Sequence, residues 1–263
     1  MKILVCIKQV PGTNKVEVDE QTGALKRDGV DSKLNPYDLY AIETALRIRE
    51  KTGGSVTALT MGPLQAEAVI REAYMMGVDE GFLISDKKFA GADVLATSYT
   101  LFMGIKTIGE FDIVVCGKQT TDGDTGQVGP ALAEYLGIPH ISWVKGIKEV
   151  DHNGVVVEQD MTESSMIVRM QWPCLITVDK DIIQPRLPSY RKKLATKNKV
   201  VNILTLKDFV DQNANNYGLL GSATKVESIF PPQANKDQII LEGSGEQLTK
   251  QLYAILEKER ALR

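Results

Sequence analysis

Gly117–Gly137 reads GKQTTDGDTGQVGPALAEYLG. It follows the apolar run FDIVVC (Phe111–Cys116) and leads into helical spacing from Val128 onward. A short apolar strand that hands over to a helix through glycines, hydroxyls and acids is the repeating unit of an open α/β sheet. The stretch offers many backbone N–H groups and few bulky side chains, which is the chemistry of an anion cradle.

Working outward, the same alternation fills the preceding chain. KILVCIK (Lys2–Lys8) reads as a buried strand. VPGTNKVEVDEQTGALKRDGV is turn-rich and predicts a loop or small edge hairpin. In NPYDLYAIETALRIREKTGG, Asn35 is placed to cap a helix, Pro36 to take its first position and Asp38 to reach back as in a capping box. Leu39, Ile42, Ala45 and Leu46 give that helix an apolar face, and Gly53–Gly54 ends it. SVTALTM, EGFLIS and DIVVC are further strands, with LQAEAVIREAYMMG, GADVLATSYTLFMGIKTIG and VGPALAEYLG as helices. This order predicts an α/β fold, a doubly wound, mostly parallel sheet with right-handed crossovers.

After Ser142 the rhythm changes. VVVEQDM and SSMIVRMQWPCLITVDKD read as strand-like, a β excursion over about 143–178. The expected organisation is an α/β domain over residues 1–183, followed by 184–263 as a basic loop, an extended arm and an amphipathic terminal helix. Leu204, Leu206, Phe209, Leu219, Leu220, Ile229 and Phe230 make the arm too apolar for full solvation, so it is expected to lie on a partner, the plain alternative being a floppy tail.

The chain has 263 residues, 43% of them apolar and 25% charged, with a formal net charge of −3. That balance suits a soluble globular protein and gives no reason to expect nucleic acid as a partner. No apolar run reaches the roughly 18–20 residues that cross a bilayer, and Lys8 interrupts a start too short for a signal peptide. No membrane association is expected, and the cytoplasm is the expected compartment. The three cysteines, Cys6, Cys116 and Cys174, lie in or beside strand-like runs and read as buried reduced thiols. With only two histidines, His140 and His152, no metal site is expected. No acid–base or nucleophilic constellation stands out, so no catalytic residue is assigned.

In an open parallel sheet, ligands bind beyond the C-terminal strand ends. Three such ends are conspicuous: Cys6–Val10, Met61–Pro63 and the opening stretch. Gly123, Gly126 and Gly129 admit close backbone approach, the helix start adds free N–H groups, and Thr125 and Gln127 add side-chain donors. No GxGxxG follows the first strand and no GxxxxGK[ST] occurs. Asp122 and Asp124 either accept from ribose or ring N–H groups or cap the turn. The plain alternative is a Gly/Asp turn that caps a helix.

Nearly the full length resembles the beta subunit of electron transfer flavoproteins. The resemblance rests on ILVCIKQVP, KLNPYDLYAIETALRI, ALTMGP, MGVDEGFLISD, GADVLATS, VVCGKQTTDGDTGQVGPALAEYLG and PCLITVDKDIIQPRLPSYRKK. Met161–Ser165 (MTESS) departs from the acidic-Gly-Gly run of many members. The resemblance implies an adenine-nucleotide-binding, Rossmann-like fold and a heterodimer with an alpha subunit that carries its own FAD. Simpler members hold a structural AMP in the beta subunit. Electron-bifurcating members hold a second FAD there, which accepts a hydride from NADH and divides its electrons between an FAD-containing dehydrogenase, of acyl-CoA or lactate type, and ferredoxin or flavodoxin. DGDTGQVGP, NPYDLYA and GADVLATS are similar to the bifurcating group. The rival expectations are a carrier subunit with AMP in the same site, and a non-redox nucleotide-sensing module.

Carried over by position, the resemblance implies that Cys6 and Lys8 border the adenine side of the nucleotide. Asn35, Pro36, Tyr37 and Asp38 approach it, with Tyr37 beside the flavin ring. Met61 and Gly62 border the adenosine, and Thr97, with Asp93 nearby, faces the isoalloxazine. Gly117, Lys118, Gln119, Asp122, Gly123, Asp124, Thr125, Gly126, Gln127 and Val128 hold ribose and phosphates. Plainer readings stay open: Cys6 as a packed strand thiol, Tyr37 as an ordinary helix-start aromatic, Asp93 as a helix cap, Met61 as core. Gln184–Lys199 falls at the family's recognition loop, where Arg186, Arg191, Lys192 and Lys193 would steer an acidic surface and Tyr190 would anchor it.

Overall fold

The computed structural model describes residues 1–12, 32–180, 182–227 and 239–261. The interior of the expected hairpin, Ile229 and Phe230 lie outside them. The described chain runs β1 (Lys2–Cys6), β2 (Gln9–Pro11), β3 (Ser32–Leu34), α1 (Pro36–Thr52), β4 (Ser55–Met61), α2 (Glu67–Met76), β5 (Glu80–Ile84), α3 (Val94–Ile108), β6 (Ile113–Gly117) and α4 (Val128–Leu136). Then come β7 (His140–Val150), β8 (Gly154–Asp160), β9 (Ser165–Gln171), β10 (Cys174–Val178), α5 (Tyr190–Ala195), β11 (Asn202–Leu204), α6 (Gly218–Gly221) and α7 (Gly245–Lys258). By internal contacts the chain divides into two compact units, Met1–Glu227 and Ser228–Arg263.

In the first unit a nine-stranded sheet has the order β11-β5-β4-β1-β6-β10-β7-β8-β9. Pairing is parallel from β11 to β7 and antiparallel from β7 through β8 to β9. Strand β1 explains why its sequence is a continuous apolar run. Ile3, Val5 and Ile7 enter the core on the face covered by α1 and α2, while Leu4 enters the core on the face covered by α3 and α4. A strand covered on both faces has no reason to alternate. The chain winds outward from β1 through β4 to β5, then returns to place β6 on the other side of β1. That reversal creates a crevice at the C-terminal ends of β1 and β6. β2 and β3 form a separate two-stranded antiparallel sheet just beyond it.

Two elements differ from the sequence expectation. β7 begins inside the presumed end of the α/β rhythm, and its Lys145, Lys148 and Glu149 dilute the apolar pattern. Its first part pairs in parallel with β10 and its second part in antiparallel with β8, with register shifts and Trp143 at φ 60° where it bends. The stretch read as one strand-like excursion is broken at Trp172–Pro173, and β10 is a fully buried central strand between β6 and β7.

The apolar residues expected to lie on a partner are divided. Leu206 and Phe209 are buried in the chain's own core with Tyr217, and Phe209 stacks on Phe89 at 5.6 Å between ring centroids. β11 adds a parallel strand beside β5, with Leu204 partly buried. Leu219 and Leu220 are exposed. In the second unit, α7 starts at a capping box between Ser244 and Gln247 and carries a Glu246–Lys250 pair. Its Leu248, Leu252, Ile255 and Leu256 recur at helical spacing. No helix among the described residues is long and apolar enough to cross a membrane. Phe209→Ala should lower unfolding free energy by roughly 3–5 kcal/mol in urea melts; a loss below about 1 kcal/mol would show that 202–221 is not part of this core.

Candidate functional site

The first turn of α1 organises the crevice. Pro36 takes the first helical position as expected, but the Asn35 side chain does not cap the helix. Asn35 is fully buried and reaches across the crevice instead. Its Nδ2 donates to the Gln119 carbonyl (2.9 Å), and its Oδ1 accepts from Thr121 N (3.3 Å). Its own backbone N–H donates to the Lys8 carbonyl (2.9 Å). Asp38 likewise does not complete a capping box. Its Oδ2 accepts from Lys8 N (2.7 Å), and the Gly117 backbone amide also donates to its carboxylate. A Cβ at Gly117 would collide with Asp38 Oδ1 and with Tyr37. Burial pushes the Asp38 carboxyl up to about 7 against the pull of these donors and the Lys8 charge.

The loop between β6 and α4 is closed by its own bonds. Lys8 Nζ pairs with Asp122 (2.7 Å), which joins the β1 end to the loop. Partial burial works against the Asp122 carboxylate, but the Lys8 ammonium holds it below the usual range. Thr120 anchors the turn: its carbonyl accepts from Asp124 N (2.9 Å) and its Oγ1 from Gly123 N (3.4 Å). Gln119 Nε2 donates to Asp124 Oδ1. Asp124 and Gly126 take left-handed backbone conformations, φ 51° and 63°. The backbone N–H groups of Thr125, Gly126 and Val128 have no partner among the described residues. Gln127 immediately precedes α4, and its side chain does not cap the helix.

The three glycines of the loop do different things. A Cβ at Gly123 or Gly126 would meet only ordinary contacts, at 3.5 Å. Gly129 is buried, and a Cβ there would lie 2.5 Å from Thr177 Cγ2. Its missing side chain serves the packing of α4 on β10, which corrects the expectation that it opens room for a ligand.

Around this loop, Ser98 Oγ donates to the Val128 carbonyl (3.4 Å), so the first turns of α3, with Thr97, lie beside the start of α4. Asp93 is a helix cap: Oδ1 accepts from Ala96 N (3.0 Å), while Oδ2 accepts from Thr224 N and Oγ1 (2.9 and 3.0 Å). Both oxygens are therefore engaged within the chain, and Asp93 ties residues 222–224 to α3. Met61 is partly buried against the core, and Gly62 follows β4 with a backbone bond to Ile84 (3.0 Å). Cys6 is half-buried at the crevice floor. Lys118 pairs with Asp179 (2.9 Å) and lies over the Trp143 ring at 4.9 Å. Asp179 and Trp143 carried no local sequence signal, because they reach the site only through the β10 and β7 pairing.

The basic segment is also divided. Arg186 does not face outward. Its Nε and Nη2 reach the fully buried Glu43 carboxylate (2.7 and 3.0 Å), and Nη2 reaches Glu50 (2.8 Å). Lys192 Nζ donates to the Met76 carbonyl (2.8 Å), closing the C-terminus of α2. These two residues fasten the segment to α1 and α2, so neither is free for docking in the way the sequence suggested. Tyr190, Arg191 and Lys193 are exposed, as are Leu187 and Leu194. Among the described residues no group of His, Cys, Asp and Glu is placed to hold a metal.

Comparison with known proteins agrees with this architecture. The electron transfer flavoprotein domain matches residues 22–209. The electron transfer flavoprotein subunit beta of Thermoanaerobacterium thermosaccharolyticum is 42% identical over 263 residues, covering 100% of both chains. That of Megasphaera elsdenii is 41% identical over 248 residues, 92% of this chain and 91% of its own. The caffeyl-CoA reductase–Etf complex subunit CarD of Acetobacterium woodii is 40% identical over 250 residues, 95% of this chain and 92% of its own. With a doubly wound sheet, a loop fastened across its β1/β6 crevice and full-length relatives of one kind, this chain belongs to the electron transfer flavoprotein beta-subunit family.

Proposed function

We propose that this chain, paired with an alpha subunit, holds FAD in the β1/β6 crevice and serves as the NADH-accepting half of an electron-bifurcating flavoprotein in the cytoplasm. The observation that carries this reading is the set of open backbone amides at Thr125, Gly126 and Val128 ahead of α4, on a loop fastened to β1 and α1. Such amides at a helix start suit phosphate oxygens. The donor set fits a diphosphate because the nearby acids are engaged inside the loop: Asp122 is ion-paired with Lys8, and Asp124 accepts from the Gln119 amide. When bound, FAD supplies the redox chemistry, taking a hydride from NADH and releasing electrons by separate routes to a dehydrogenase and to ferredoxin or flavodoxin. Asn35 and Asp38 orient the strand ends, and Thr97 and Tyr37 lie at helix starts bordering the crevice. No side chain is required as acid, base or nucleophile.

The relative CarD is named as a subunit of a caffeyl-CoA reductase complex, which supports a client of the acyl-CoA-handling kind over a lactate-type one. Leu187, Tyr190 and Leu194 form an exposed apolar set among Arg191 and Lys193, suited to an apolar pocket with an acidic rim.

One observation favours the AMP reading. Gly129 is filled by packing against Thr177, so the room for a dinucleotide rests on Gly123 and Gly126. Purifying the heterodimer, releasing its nucleotides with acid and weighing them separates the readings. The FAD reading expects about two FAD per heterodimer and bleaching of both flavins by NADH. One FAD with one AMP would overturn it in favour of the carrier.

Asp38 adds a pH signature. Its folded-state carboxyl titrates near 7, above the 3.8 of an unperturbed one, so folding favours its protonated form. Stability from this group is full below about pH 4 and is lost as pH rises to about 7. Asp38→Asn lacks that loss. In thermal melts the stability difference between variant and wild type should move in the variant's favour from pH 5 to 7.5 and stay level above it. A difference independent of pH contradicts the assignment.

A further inference from the structure

Two thiols meet at the floor of the crevice. Cys6 of β1 and Cys116 of β6 are register partners on adjacent parallel strands, and both turn to the α3/α4 face of the sheet. Neighbouring strands lie about 4.8 Å apart, within the roughly 4.4–6.8 Å Cα separation that a disulfide spans. The adjacent Cys6 thiol, burial and the nearby Asp38 charge hold Cys116 well above the ordinary thiol range. Both are free; Cys116 is buried and Cys6 half-buried. Cys174 is a built-in control. It pairs with Ile113 at the opposite end of β6, belongs to the other face, and burial pushes its thiol up to about 12.

We propose that Cys6 and Cys116 form an oxidative modification site, a dithiol that closes to a cross-strand disulfide under a two-electron oxidant of the peroxide class. Cys6, the more accessible thiol, attacks the peroxide. The O–O bond breaks, water leaves, and Cys6 becomes a sulfenic acid. Cys116 Sγ then displaces the hydroxyl as a second water and the S–S bond forms. Two thiols lose two protons and two electrons, and one hydrogen peroxide becomes two waters. The bond ties β1 to β6 immediately before Lys8 and Lys118, so oxidation acts on both loops of the crevice whichever nucleotide it holds.

The test is treatment of the purified heterodimer with hydrogen peroxide, followed by intact mass and peptide mapping of this chain. The expected result is loss of two hydrogens, a fragment joining Cys6 to Cys116, Cys174 still open to iodoacetamide after unfolding, and reversal by dithiothreitol. In Cys116→Ser the joined fragment is absent and Cys6 oxidises onward to sulfinic acid; in Cys6→Ser, Cys116 stays a thiol. Wild-type chain in which Cys6 reaches sulfinic acid without a cross-link, or joins Cys174, or in which neither thiol changes, overturns the proposal.

Discussion

The structure depends on a reach across the crevice by one helix start. Asn35 precedes α1, yet its side-chain amide is bonded to the Gln119 carbonyl and the Thr121 amide, more than eighty positions along the chain. One turn later Asp38 gathers the backbone amides of Lys8 and Gly117. Both side chains are buried, so an unmade bond at either would leave a polar group without water, a cost of about 1–3 kcal/mol each. The loop ahead of α4 is thus not a free turn. It is held from beneath by β6, from the side by Asn35, and from above by the Lys8–Asp122 pair.

This fastening explains the composition of the opening stretch. The acids Asp122 and Asp124 are taken up inside the loop, the first paired with Lys8 and the second accepting from Gln119. What stays available is backbone, and backbone amides are donors that cannot change charge or swing away. The same helix also anchors the basic segment. Glu43, two turns beyond Asn35, is buried and receives the Arg186 guanidinium, and the desolvation that opposes its charge is outweighed by Arg186 and Arg47. α1 therefore connects the crevice at one end to the exposed Tyr190 region along its side.

The fold was legible where apolar periodicity was strong. β1, β4, β5 and β6 and the helices α1 to α4 occur where their runs and caps indicate. β7 was not legible, because a strand that bends and changes partners halfway carries Lys and Glu on its exposed part. Leu206 and Phe209 looked like surface seeking a partner, because their core partners, Phe89 and Tyr217, lie far away in sequence or across a turn-rich stretch. In the site, the place of Gly123 and Gly126 between β6 and α4 was readable, whereas the packing of Gly129 on Thr177 was not. The roles of individual polar side chains were not: a cap position does not reveal that Asn35 and Asp38 bond across the crevice, and a basic segment does not reveal that Arg186 and Lys192 turn inward.

The most direct test of the fastening is amide hydrogen exchange of residues 119–127 in the heterodimer, wild type against Asn35→Ala. The account predicts faster exchange in the variant at the bonded loop amides of Thr121, Gly123 and Asp124, by roughly fivefold to a hundredfold for a loss of about 1–3 kcal/mol, with α2 and β5 unchanged. Loop exchange identical in the two proteins would contradict it.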